Sequence, residues 1–137
     1  MQILVMAMLA WIAINDARTH RIPNRDLLIL AIIALLTVDL EDLNLLHQFY
    51  TAGIVLIITV LLSLFCGVGM GDVKLLTLLA MLILPSEFIV YQIFVLTVSI
   101  AAVAHALLIC QGDIRRSLHI PLAPAIFLGT IIALTAK

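Results

Sequence analysis

The chain has 137 residues, 65% of them hydrophobic and only 11% charged, with a mean hydropathy of +1.31. That apolar share is far beyond an ordinary soluble domain, and the length leaves room for one helical membrane bundle over residues 1–137 and nothing else. A net charge of -1 with no basic stripe argues against a nucleic acid partner.

The first apolar run, Ile3 to Ile14, lacks a basic leader region and ends at Asn15-Asp16-Ala17-Arg18 instead of a small-residue cleavage site, so it reads as a retained span. Leu27 to Val38 is the second run, Phe49 to Cys66 the third, Val73 to Leu84 the fourth, Phe88 to Cys110 the fifth and Ile120 to Ala136 the sixth. The third, fifth and sixth are long enough to cross a bilayer. The other three hold about a dozen apolar residues each, roughly 18 Å of helix against a hydrocarbon core of about 30 Å.

The basic residues decide whether the short runs also cross. Lys and Arg collect in cytoplasmic loops, and here they fall at Arg18, Arg21 and Arg25, at Lys74, and at Arg115 and Arg116, with Lys137 apart. For all three groups to face the cytoplasm, Leu27 to Cys66 and Val73 to Cys110 must each be a hairpin. The outer turns are then Asp39 to Gln48, with Asp39, Glu41 and Asp42, and Pro85-Ser86-Glu87. The expected fold is an all-α bundle of six transmembrane helices with both termini outside. Asn24 is placed to cap the second helix, with Asp26 in its first turn. Pro85 ends the fourth helix, Pro121 fits the first turn of the sixth, and Pro124 either shares that turn or kinks it.

Two carboxylates then lie at the cytoplasmic edge, Asp16 closing the first helix and Asp72 opening the fourth. Ionisable groups at membrane depth are costly, and a pair of acids in one site cannot easily both ionise, so one stays protonated. The charged partner can take a proton from water while the protonated one donates to a scissile carbonyl, which is peptide hydrolysis. Asp72 sits at a helix N-terminus near Lys74, both favouring its charged form, and Asp16 at a C-terminus. These dipoles assign Asp72 as resting base and Asp16 as resting acid. The glycines of Gly67-Val68-Gly69-Met70-Gly71-Asp72 permit close approach of a substrate backbone or a neighbouring helix, or simply pack.

Gly69-Met70-Gly71-Asp72-Val73-Lys74, together with Asp16-Ala17-Arg18-Thr19-His20-Arg21-Ile22-Pro23-Asn24, resembles the GxGD aspartic proteases, specifically the prepilin (type IV leader) peptidases. Ile120-Pro121-Leu122-Ala123-Pro124-Ala125-Ile126-Phe127-Leu128-Gly129 looks like the start of that family's last helix. The resemblance implies that Asp16 and Asp72 are catalytic, with Gly69, Gly71, Lys74, Ile22, Pro23 and Asn24 as supporting motif residues. It implies no metal or organic cofactor. The substrate would be a prepilin or pseudopilin with a short basic leader, in the lipid of a bacterial inner membrane, with pilus assembly machinery as a possible partner. Paired Cys-x-x-Cys motifs of the larger, methylating relatives are absent, so the chain looks like the short form of Flp or tight-adherence pili and no methyltransferase activity is expected. Presenilin-like enzymes fit less well, for want of a tyrosine before the first acid.

Other residues carry weaker signals. Cys66 and Cys110 lack zinc or disulfide spacing and read as packing residues. His105, mid-span among small residues, reads as a helix-contact residue without a ligand set, and His20, His47 and His119 as interfacial. Lys74 either pairs with a nearby acid or tunes Asp72. The competing reading from another class is a small proton-coupled transporter or channel relaying protons through the two acids and Lys74; the halves lack the matching Gly or Pro interruptions of inverted repeats.

Overall fold

The computed structural model describes residues 2–37, 45–66, 68–85, 87–109 and 122–135. These residues form six α-helices and no strand: α1 (Gln2–Thr19), α2 (Asn24–Thr37), α3 (Leu45–Cys66), α4 (Met70–Leu82), α5 (Phe88–Ile109) and α6 (Ala123–Thr135). The all-α expectation holds. Asp39, Glu41, Asp42, Ser86, Cys110, Arg115, Arg116, His119, Ile120, Pro121 and Lys137 lie outside the described residues, as do the side chains of Cys66 and His105.

Each core helix buries one stripe at helical spacing. On α1 it is Val5, Leu9 and Ile12; on α2 Leu27, Leu30 and Ala34; on α4 Leu75 and Leu79. With Val90 and Phe94 of α5 and Ala123, Ile126 and Ala133 of α6 these close one core. In space α6 packs between α5 and α1, and α2 between α1 and α4, with α3 against the outside of α4. Among the described residues α1 and α4 share no extended contact.

The opposite faces are as apolar as the core. Ile3, Leu4, Trp11, Leu36, Phe65 and Phe88 are among many large hydrophobic side chains left exposed, an apolar exterior too extensive for a molecule surrounded by water. Among the described helices α3 alone is long and apolar enough to cross a membrane, over Leu46–Phe65, and only 17% of that window is buried; Phe88–Ala104 and Ala123–Thr135 are apolar but shorter.

The turns differ in detail from expectation. Gln48 is not in an outer turn: α3 begins three residues earlier, and the buried Gln48 amide donates to the Leu84 carbonyl at 2.7 Å, pinning the start of α3 to the end of α4. Pro85 does follow the end of α4, and Pro124 sits in the first turn of α6. Asn24 does not cap α2. The Pro23 carbonyl receives the N–H groups of Asp26 and Leu27, while the Asn24 side chain reaches another helix.

Candidate active site

Asp16 occupies the next step of the stripe Val5, Leu9, Ile12, and Asp72 precedes Leu75 and Leu79 by three and seven residues. Helical periodicity therefore turns both acids inward, leaving them 4% and 8% exposed. Both line one open, half-polar cavity of about 610 Å³, with Thr19, His20, Arg21, Ile22, Gly69, Met70 and Gly71. A second cavity of about 290 Å³, among Ile58, Thr59, Leu76, Ala80, Phe94 and Val98, is almost wholly apolar and offers nothing for acid or base chemistry.

Local backbone chemistry fixes each acid. Two groups lie one turn beyond Asp16: Thr19, whose hydroxyl donates to the Asn15 carbonyl at 2.8 Å, and His20, whose N–H donates to the Asp16 carbonyl at 2.8 Å. His20 stops α1 in a left-handed conformation, φ 51°, the usual way a helix end turns its chain aside. The Asp16 carboxylate itself accepts the N–H of Ala123 at 3.2 Å. Ala123 opens α6, so the bond satisfies one of that helix's unpaired amides. Asp72 is the third residue of α4, after the N-cap Gly69, and its carboxylate accepts the Gly69 N–H, the reach-back of a capping box. A Cβ at Gly69 would lie 3.1 Å from Asp72 Oδ2. Oδ1 of Asp72 is buried and has no hydrogen-bond partner among the described residues.

Both carboxyls stand beyond the apolar runs Ile3 to Ile14 and Val73 to Leu84. Burial pushes the Asp72 pKa from 3.8 to about 7, the neighbouring Asp16 adds to the rise, and the Gly69 N–H opposes it. Burial raises Asp16 as well, with the Ala123 N–H and His20 opposing the rise without cancelling it. The α4 dipole expected to favour charge on Asp72 does not hold that carboxyl at its ordinary value. Asp16 ends its own helix yet faces the N-terminus of α6, whose dipole favours charge, while desolvation outweighs the α4 dipole at Asp72. Both carboxyls are thus raised, and Asp72, at about 7, keeps its proton in a large share of molecules near neutral pH.

The supporting motif residues meet as well. Lys74 Nζ donates to Asn24 Oδ1 at 2.9 Å, so its hydrogen-bond partner is an amide and not an acid. A Cβ on Gly71 would come 3.0 Å from the Cβ of Ile22; that glycine serves close packing of a neighbouring loop. Asn15 donates to the buried Asp26 at 3.4 Å. The sequence reading took His20 as interfacial and gave Thr19 no role beyond the motif, though both stand one turn after Asp16 on the cavity, and it missed the Ala123 amide, which nothing in the sequence announces. Among the described residues no three His, Cys, Asp or Glu stand together as a metal-ligand set.

Residues 3–110 match the model of the type IV leader peptidase family, a span that contains both acids and all the motif residues but not α6. No curated protein and no solved structure matches the chain. With the match covering most of its length, the chain belongs to the type IV leader peptidase family.

Proposed function

We propose that this peptidase is a membrane aspartic endopeptidase that removes the basic leader from prepilin-like precursors at the cytoplasmic face of a bacterial inner membrane. We read it as a six-span protein of the short Flp or tight-adherence type, without methyltransferase activity. The observation that carries the reading is the pair of buried acids on one half-polar cavity, with burial raising Asp72 to about 7 so that it can still hold a proton near neutrality. The exposed apolar exterior and the scarcely buried α3 support the membrane setting.

The chemistry follows from the two environments. Charged Asp16 takes a proton from water as the water oxygen attacks the scissile carbonyl carbon. Asp72 gives its proton to the carbonyl oxygen, which avoids a bare oxyanion in a poorly solvated site. As the tetrahedral species collapses, Asp16 passes its proton to the leaving nitrogen and Asp72 recovers one from the hydroxyl, restoring both acids. The arrangement needs the substrate bond at the loop end of the bundle, where a basic leader stays in water and an apolar helix follows in the membrane.

The test is co-expression with a Flp-type prepilin, following its mobility shift for wild type, Asp16→Asn and Asp72→Asn, with membrane levels checked. Asn keeps the shape of the acid and removes its proton chemistry. Processing is expected to stop in both variants; full processing in either would make that acid structural and sink the dyad.

A further inference from the structure

The two acids ride on helices that barely touch each other. Among the described residues α1 and α4 have no extended contact, and each packs on α2. The spacing of the carboxyls is therefore set through whatever ties the start of α2 to both neighbours. Three contacts do so. Asn15, next to Asp16, bonds Asp26 in the first turn of α2. Ile22 is seated on Gly71, where no side chain intervenes. Asn24, the first residue of α2, accepts from Lys74, one turn into α4 and two residues past Asp72.

Ile-Pro-Asn acquires a physical meaning from this arrangement. A residue before proline is biased to extended backbone, which carries Ile22 across toward Gly71. Pro23 supplies the carbonyl on which α2 starts. Asn24 is thereby freed from capping and spends its side-chain oxygen on the other helix. Both Asn24 and Lys74 are exposed, and the bond matters through the two elements it joins.

We propose that Asn24 and Lys74 are positioning residues: their hydrogen bond, with Ile22 seated on Gly71, latches the α1–α2 turn to α4 and holds Asp16 and Asp72 at working separation. The proposal rests on the reading of those acids as a hydrolytic pair. A latch of this kind affects the chemical step and not substrate affinity, because a misplacement of about 1 Å can cost a hundredfold in rate.

The experiment measures kcat and KM for purified enzyme on a leader-bearing prepilin peptide, with unfolding temperatures recorded for each variant. Lys74→Met removes the donor at nearly equal length, Asn24→Ala removes the acceptor, and Lys74→Arg keeps a donor. Met and Ala variants are each expected to lose roughly 10- to 100-fold in kcat with KM little changed, and the double variant to fall no further than the worse single one. Lys74→Arg retains most of the activity. Wild-type kcat in Lys74→Met, a loss confined to KM, additive losses in the double variant, or a Lys74→Arg as poor as Lys74→Met would each overturn the latch. Should Asn24→Ala fail to accumulate, the Met and Arg variants of Lys74 decide alone. Cleavage that survives in Asp16→Asn and Asp72→Asn strikes the hydrolytic reading itself; its loss there beside normal Lys74→Met strikes only the latch.

Discussion

Asp72 bears opposing influences, and their balance is measurable. Its helix N-terminus and the Gly69 N–H favour charge, whereas burial and Asp16 favour the protonated acid and win. Hydrolysis is therefore expected to decline as pH rises past about 7, since the donor to the carbonyl oxygen is lost. The same shift has a stability consequence. A carboxyl whose folded pKa is raised stabilises the fold fully below its unfolded value of 3.8 and loses that contribution as pH rises through about 7. Asp72→Asn, which never charges, should unfold at a higher temperature than wild type near about pH 8 and at a similar one near about pH 4. A lower unfolding temperature for the variant at the higher pH would contradict the raised pKa. At Gly71 the conflict is steric. Alanine would set a Cβ 3.0 Å from Ile22 Cβ, an atom that moves only with its backbone, so Gly71→Ala should cut prepilin processing roughly tenfold or more by shifting the loop against Asp72.

Between helices the tightest approach is elsewhere. A Cβ on Gly129 of α6 would sit 2.5 Å from Val98 Cγ2 and 3.4 Å from the Phe94 carbonyl oxygen of α5. Small residues let apolar helices come together where no hydrophobic force between them exists in lipid. Gly129→Ala should lower the unfolding free energy by about 1–3 kcal/mol through overpacking, read as an earlier thermal transition, with catalysis affected much less. The helices themselves were legible in the sequence, because apolar runs broken by charge or proline mark their ends. Which face of each helix is buried was not. On α1, Leu4 and Trp11 point outward while Leu9 and Ile12 are buried, and with apolar side chains on both sides no stripe stands out. The two acids were found because they stand at the ends of apolar runs, within motifs that resemble a known family. Their partners were not, since the Ala123 amide and the Asn24–Lys74 bond join residues 107 and 50 positions apart, a pairing that only folding creates.

For the molecule as a whole, polarity is segregated. Arg18, Arg21, Arg25 and Lys74 are exposed around the acids, while Gln48, Leu84 and Glu87 mark the far end of α3, α4 and α5. α4, at 13 residues, reaches only about 20 Å, which suits a bilayer thinned beside the cavity. Single cysteines at Arg18 and Glu87, in a chain with Cys66 and Cys110 replaced by serine, should be labelled by an impermeant maleimide from opposite sides of the membrane. Labelling of both from one side would break the hairpin topology. The bond from Ala123 to Asp16 also imposes an order on biogenesis. Asp16 leaves the ribosome early, but the amide that steadies its charge is made 107 residues later. A nascent chain halted after α5 has both acids and the family's whole matched span yet lacks that amide, so it should be inert, and competence to cut arrives only with insertion of α6.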